Sequence, residues 1–593
     1  MTWDTTTMGG SMGVPAKAVH LRNLAVACDN LMSSITHFYH LAAPSYVQGP
    51  NMPPWTPYWN DADYHALLLS QGRTLPVVDE GFSKDLWSAV ITQYVKALRM
   101  RRLVFEASAL FIGRAPMTSN LVAGGVTVNA GDADFADRCD TFKEIMTEVG
   151  NFIAKEYVPV ALALSALYPG YDNTNNPGGL GWGAGLGNFL AWGNYPLPGG
   201  DIAVKGGKLD NTATAPAFAH GVPDQFMTGY GSVDTAIQRV KVGLREFITY
   251  SRYADLDAPE FDADDKAYPG DVTRTVPDRD KASAYTYLKA PRFDEKAREV
   301  GPLARMYVNG IFQNNVALAT TVNLGAPYVG YADYAKGAGL DPAMIAADIA
   351  VALVREGLAT LTVNLSVDGG TAATIVVGKT VGVDGATHAI GTLTGAIITA
   401  AYTGGTVTVG LEEWAFSNPV ITGTIAGHVL GLKAGISTMD RIRARALESL
   451  IHIQFVNGPA NTWTGGWIAD VKGMAGEATF IAKPTPTGER KGFGCIDAPR
   501  GALAHFSTIN NGKISAYQCV VPYTWNGSPR DKFNNPGATE KALEGVPFDN
   551  RIPVYFGPGV EQVAVNESPA QAGGVEVLRV CQSFDPCIAC AVH

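Results

Sequence analysis

Apolar residues recur at helical spacing over 16–46, 86–111 and 142–167, stretches long enough for buried helices of a bundle. The same period returns over 298–320 and 439–456. Between 168 and 187 the chain is rich in Gly, Asn and Pro and loses the period, which predicts a loop. The texture changes over 359–430, where Val, Thr, Ile and Gly dominate and turn signals stand at Asp368-Gly369-Gly370, Asp384-Gly385 and Thr403-Gly404-Gly405. β-Branched residues alternating between such turns predict hairpins, here a β-rich insertion without visible chemistry. From 490 onward Pro, Gly, Asn and aromatic residues are frequent, the mark of a loop-rich segment, and loops that hold Cys, His and Arg are natural site builders. The pattern predicts a mainly α protein with an α+β periphery. A helical core occupies 1–345, the β-rich insertion 346–430, and a C-terminal helix with a site region 431–593.

Composition narrows the class. Hydrophobic residues make up 46% of the 593 positions, enough for a substantial core, while charged residues reach only 17%. The net charge of −10 and the lack of a basic stripe exclude a nucleic-acid surface, which needs concentrated Lys and Arg. Residues 1–13 carry neither a charged nor an apolar leader region, so they do not read as a secretory signal. The longest uncharged stretch, 385–411, is Thr- and Gly-rich and reads as a hairpin rather than a membrane span. The seven Cys have no disulfide-scaffold spacing, and an odd count with a terminal cluster points to metal chemistry.

That cluster is Asp585-Pro586-Cys587-Ile588-Ala589-Cys590-Ala591-Val592-His593. Asp favours the N-cap and Pro the first helical position, so a short terminal helix is expected to start here. Residues three apart share a helical face, which places Cys587, Cys590 and His593 together. A helix N-terminus would favour the Cys587 thiolate, and two soft thiolates suit nickel, iron or zinc. By spacing alone, a zinc half-site and a redox pair remain open.

The whole string resembles the C-terminal signature of nickel–iron hydrogenase large subunits. Other segments resemble the same family in order along the chain. They are His37-Phe38-Tyr39-His40-Leu41, Lys289-Ala290-Pro291-Arg292, Glu299-Val300-Gly301-Pro302-Leu303-Ala304-Arg305, Ala498-Pro499-Arg500-Gly501-Ala502-Leu503, and Tyr517-Gln518 through Trp525-Asn526 to Pro529-Arg530-Asp531. The resemblance implies the hydrogenase large-subunit fold and reversible splitting of dihydrogen into protons and electrons. It implies a nickel held by four thiolates, two of them shared with an iron that carries carbon monoxide and cyanide. Cys587 would be a terminal nickel ligand and Cys590 a bridging one. His593 and the backbone carbonyl of Cys519 would bind a magnesium ion. Arg500, Pro522 and Tyr523 would line the centre, Arg500 acting through a positive field because a guanidinium stays charged. Electrons would leave through iron–sulfur clusters on a separate small subunit, toward a membrane-bound acceptor in an extracytoplasmic or membrane-associated assembly of heterodimers. A chain ending at His593 resembles the mature, processed form.

Several positions depart from the family pattern. The family's second motif, Arg-x-Cys-Gly-x-Cys, is absent, and with it two nickel thiolates and a magnesium-binding Glu. A split large subunit, completed by a short second chain, is the expectation. A hydrogen sensor and a non-catalytic structural homologue are the alternatives. Pro44-Ser45 stand where an Asp usually pairs with the Arg corresponding to Arg500, which predicts loss of that partner. Tyr523 replaces a Ser or Thr, Met32-Ser33-Ser34 replace a His-Asp-His, and Cys581-Gln582 replace a pairing that ends in His. Cys28 reads as a small buried residue, and His37 and His40 as packing and hydrogen-bonding residues.

Overall fold

The computed structural model describes residues 14–46, 80–158, 180–213, 243–254, 276–310, 435–546 and 575–591 apart from short gaps, with scattered positions between them and paired strands between 317 and 433. Helix α1 (Ala16–Thr36) runs on into a π-helical turn at His37–Ala42 and a 3-10 turn at Ala43–Ser45. Pro44, which has no N–H to give, falls in that last turn. Helix α2 spans Glu80–Ile112, and α3 (Phe135–Phe152) also ends in a π-helical turn, Ile153–Tyr157. Strands β1 (Leu244–Phe247) and β2 (Ala290–Phe293) pair antiparallel.

The long helix expected over 298–320 is only the short α4 (Pro302–Val308). Gly301, at φ 118°, sets its start next to Pro302, and Gly310, at φ 74°, lies just beyond its end. In the Thr- and Gly-rich stretch, Thr360–Leu365 pairs with Ala373–Gly378, and Ile397–Tyr402 with Gly405–Gly410. Val420–Ile425 pairs with Thr360–Leu365 from the other side, so the strands do not form a simple meander.

Helix α5 (Thr438–Asn457) is the hub: it packs against α1, α3, α4, α6 (Gly466–Gly473) and the later α9. A capping box starts it, with Asp440 N donating to Ser437 Oγ and Ser437 N to Asp440 Oδ2. Every residue of α5 is buried, so its charged side chains must find partners inside the protein.

The segment read as loop-rich holds three long antiparallel strands, β3 (Glu489–Ala498), β4 (Gly501–Asn510) and β5 (Lys513–Val520). Turn chemistry explains the hairpins. Asn511 and Gly512, at φ 49° and 80°, form the second turn, the Asn-Gly pairing that tight hairpins prefer. Short helices α7 (Pro522–Asn526), α8 (Ala538–Leu543), α9 (Val575–Ser583) and α10 (Ile588–Ala591) follow. One hydrophobic cluster runs from Ala18 to Ala591, so the first and last thirds of the chain share a core. A smaller cluster around Trp192, Phe506 and Trp525 backs the β3–β5 sheet. No described helix is long and apolar enough to cross a membrane.

Candidate active site

Arg500 occupies the two-residue connection between β3 and β4, where Ala498 faces Gly501 across the ladder. The turn is pinned from below. Arg305 of α4 donates to the carbonyls of Ala498 and Pro499, both at 3.0 Å, and grips the Glu448 carboxylate of α5 at 2.5 and 2.7 Å. Two glycines let the backbones cross: a Cβ on Gly501, at φ 126°, would lie 2.5 Å from Gly301 N. The hairpin tip is therefore held on two helices of the core.

The guanidinium reaches the terminal segment. Arg500 Nε donates to the Asp585 carbonyl at 3.2 Å and stands 3.0 Å from Asp585 Oδ1. The Arg is one-third exposed (32%) and the Asp almost fully buried (2%). Pro44-Ser45 supply no carboxylate, and the one beside Arg500 is Asp585. One expectation is corrected here. Asp585 is not the N-cap of the terminal helix, because it adopts a left-handed conformation at φ 56°. Helix α10 begins only at Ile588, and the Cys587 carbonyl accepts from Cys590 N and Ala591 N, both at 3.2 Å. A helix of four residues is too short for its dipole to prime Cys587, so that reason for a thiolate falls away.

Cys587 and Cys590 are joined in a disulfide, with Cα atoms 5.4 Å apart. The bonded sulfurs stand in for two thiolates able to reach one shared ion. Cys590 is exposed, and Ile588 beside it is an exposed apolar side chain (57%). His593 lies outside the described residues. Among the described residues no group of three or more His, Cys, Asp and Glu gathers as a complete metal site. The surroundings nonetheless offer polar groups to a guest. Thr524 Oγ1, Arg445 Nη1 and His37 Nδ1 are all buried without a hydrogen-bond partner among the described residues.

Near Cys519 lies a second polar group. Glu246 of β1 accepts from Gln518 Nε2 at 2.6 Å through one oxygen, while its other oxygen is buried without a hydrogen-bond partner. Glu246 and Lys289 both act electrostatically on the Cys519 thiol, which burial pushes up. An open carboxylate acceptor of this kind, without a partner among the described residues, suits a hydrated cation.

Pro522 opens α7 and Tyr523 follows it, both buried. The phenol finds room because residue 527 is Gly: a Cβ there would meet Tyr523 Cε1 at 2.7 Å and Leu288 Cδ2 at 2.9 Å. Burial, and then Cys581, push the Tyr523 phenol up to about 12. His37 and His40 each engage a backbone carbonyl through Nε2, of Gln582 at 2.6 Å and Tyr94 at 3.1 Å. Cys28 is buried, with its thiol pushed up to about 12 by burial.

Sequence reasoning missed Asp585 as a partner of Arg500, and it missed Arg441, Arg445, Glu246 and Thr524. The one signal for the arginines was their spacing of four on a helix pattern, which puts them on one face.

Comparison with known proteins places this geometry. The nickel-dependent hydrogenase family matches residues 82–332 and 407–593. The periplasmic [NiFeSe] hydrogenase large subunit of Desulfomicrobium baculatum is 26% identical over 96% of this chain and 77% of its own length. The uptake hydrogenase large subunit of Rhizobium leguminosarum bv. viciae is 25% identical over 98% of this chain and 81% of its own. The crystal structure of the H2-activated [NiFeSe] hydrogenase from Dm. baculatum superposes with a TM-score of 0.60 at 25% identity, covering 100% of this chain and 85% of that one. With the sequence match and the fold in agreement, the chain belongs to the nickel-dependent hydrogenase family, as a large subunit.

Proposed function

We propose that this chain is the catalytic subunit of an uptake hydrogenase, with Cys587 and Cys590 among the ligands of its metal centre. Cys587 and Cys590 would supply half of nickel's thiolates. The carrying observation is the meeting of both terminal sulfurs beside the Arg500–Asp585 pair. When bound, the nickel–iron centre supplies the chemistry that splits dihydrogen.

The protein's own residues orient and polarise. Arg500 is held by its Nε, while its two Nη groups make no hydrogen bond to described residues. That arrangement leaves a fixed positive field at the hairpin tip, useful wherever charge separates during heterolysis. Buried Thr524, with no acceptor for its hydroxyl among the described residues, would offer a donor to an iron-bound anion. Glu246, Lys289 and Gln518 would orient the water around a magnesium ion held by the Cys519 carbonyl and His593. Electrons would pass to an iron–sulfur small subunit and on to a membrane-associated acceptor on the extracytoplasmic side, as the periplasmic and uptake relatives suggest. The β-rich stretch 346–430 would lie apart from the chemistry, outside the core segments 1–345 and 431–593.

Native mass spectrometry with nickel and iron analysis of the purified assembly tests the reading. The expected result is one nickel per large subunit. An assembly without nickel would overturn it.

A further inference from the structure

Successive residues ahead of the terminal motif are each held by a different side chain. The Gln582 carbonyl lies 2.6 Å from His37 Nε2, and the Ser583 carbonyl accepts from Arg445 Nη2 at 3.2 Å. The Phe584 ring packs under the Arg441 guanidinium at 3.7 Å, and the Asp585 carbonyl accepts from Arg500 Nε at 3.2 Å. Arg441 and Arg445, one helical turn apart on α5, differ in one respect. Arg441 is neutralised by a two-bond pair with Glu299 at 2.7 and 2.9 Å. Arg445 makes no ion pair with a described residue, and its Nη1 is buried with no hydrogen-bond partner.

A buried guanidinium without a counter-ion is expensive, because desolvation is not repaid by attraction. The carboxylates that act on it are both already engaged, Asp585, the larger influence, with Arg500 and Glu448 with Arg305. Among the described residues no unengaged carboxylate answers this charge, which leaves a place for a bound group of negative charge. Ser583, which Arg445 holds, stands four positions ahead of Cys587. A metal centre ligated by anionic thiolates is a compensating charge of the right sign, and in a solvent-poor interior its attraction is weakly screened.

We infer that Arg445 is a positioning residue of the hydrogen-splitting site, whose uncompensated buried charge sets the electrostatic potential of the terminal thiolate–metal unit while its Nη2 fixes the Ser583 carbonyl. This rests on the reading of Cys587 and Cys590 as nickel ligands. The charge acts at a distance, and the tether acts through the backbone.

The two contributions separate by substitution in the complete heteromeric assembly. Arg445→Gln keeps a donor for the Ser583 carbonyl and removes the charge. Arg445→Lys keeps the charge and loses the planar fork. The readouts are nickel per chain and the midpoint potential of the nickel signal in a redox titration followed by electron paramagnetic resonance. Removing a positive charge disfavours reduction, so Arg445→Gln is expected to retain nickel and lower the potential by about tenfold in the one-electron equilibrium, about 59 mV. Arg445→Lys is expected to stay close to the unaltered protein. An unchanged potential in nickel-loaded Arg445→Gln overturns the inference, and so does an equal shift in both variants, which would assign the effect to the tether. If Arg445→Gln does not assemble, a shift in nickel-loaded Arg445→Lys as large as tenfold overturns it and an unshifted potential supports it. Nickel missing from the unaltered assembly would instead overturn the functional reading beneath it.

Discussion

Arg292 and Asp531, 239 positions apart, meet as an ion pair with no solvent exposure on either side, Nε to Oδ2 at 2.8 Å. The same guanidinium also donates to the carbonyls of Pro529 and Asn535 and to Ser528 Oγ. It thus ties strand β2 to the loop that follows α7, which carries the buried Pro522–Asn526 wall of the site.

Removing one member of such a pair strands the other charge in the interior. Asp531→Ala is expected to destabilise the subunit by about 3–5 kcal/mol. Urea unfolding of the purified assembly followed by tryptophan fluorescence measures it, and a loss under about 1 kcal/mol would mean that the pair is replaceable.

Acid is the second lever. Burial pushes His452 and His37 down from 6.5 to about 4. Unfolded imidazoles take up protons below 6.5 while these two stay neutral to about 4, so their contribution is complete above 6.5 and lost as pH falls toward 4. Asp497 opposes them: burial raises it from 3.8 to about 6, so its contribution is complete below 3.8 and lost as pH rises through 6. Two imidazoles outweigh one carboxyl, and stability is expected to fall on acidification. His452→Gln should remove about 3 kcal/mol of the difference between neutral and acid stability. Thermal unfolding across that pH range reads it, and an undiminished acid loss in the variant contradicts the assignment.

Thiol chemistry should separate the cysteines cleanly. Burial pushes Cys28 up to about 12 and Cys139 to about 11, and Cys495 is buried and raised further. Reactivity follows thiolate fraction and access. After mild reduction of the metal-free chain, iodoacetamide should label Cys587 and Cys590 first, with Cys28 and Cys495 protected until unfolding. Peptide mass spectrometry gives the order, and early labelling of Cys28 would show that the α1 packing is looser than described.

Substituting Arg500 by Lys keeps a charge but removes the fork that lets Nε hold Asp585 while the Nη groups face elsewhere. Hydrogen oxidation with a dye acceptor is expected to fall by about 10²–10³-fold, the scale of losing a preorganised electrostatic group. Nickel content should be unchanged. Full turnover in the variant would remove Arg500 from the chemistry.

How far the sequence alone reached depends on the range of the forces involved. Helix α5 was legible because its apolar positions follow a local period, and the structure spans Thr438–Asn457 against an expected 439–456. The stretch 298–320 misled because apolar residues continue at helical spacing past positions where Gly301 and Gly310 take positive φ. The β3–β5 strands were hidden by their loop-like composition; what defines them is pairing across Asn511-Gly512 and Pro499-Arg500. At the site, Cys587, Cys590 and Arg500 were visible as motif letters. Asp585 was read as a cap because Asp before Pro usually is one, yet tertiary demand from Arg500 and a left-handed backbone prevailed. Arg445 was invisible, since nothing local distinguishes an arginine with a counter-ion from one without.

The tetrapeptide 582–585 takes its anchors from the π-helical turn after α1, from α5 and from the hairpin between β3 and β4, segments distant from it along the chain. Closing so many long loops is slow in entropy terms, and each anchor exists only after its own helix or sheet has docked. The thiolate-bearing end should therefore be among the last parts of the subunit to settle during biosynthesis. Until then it stays open to whatever delivers the metal.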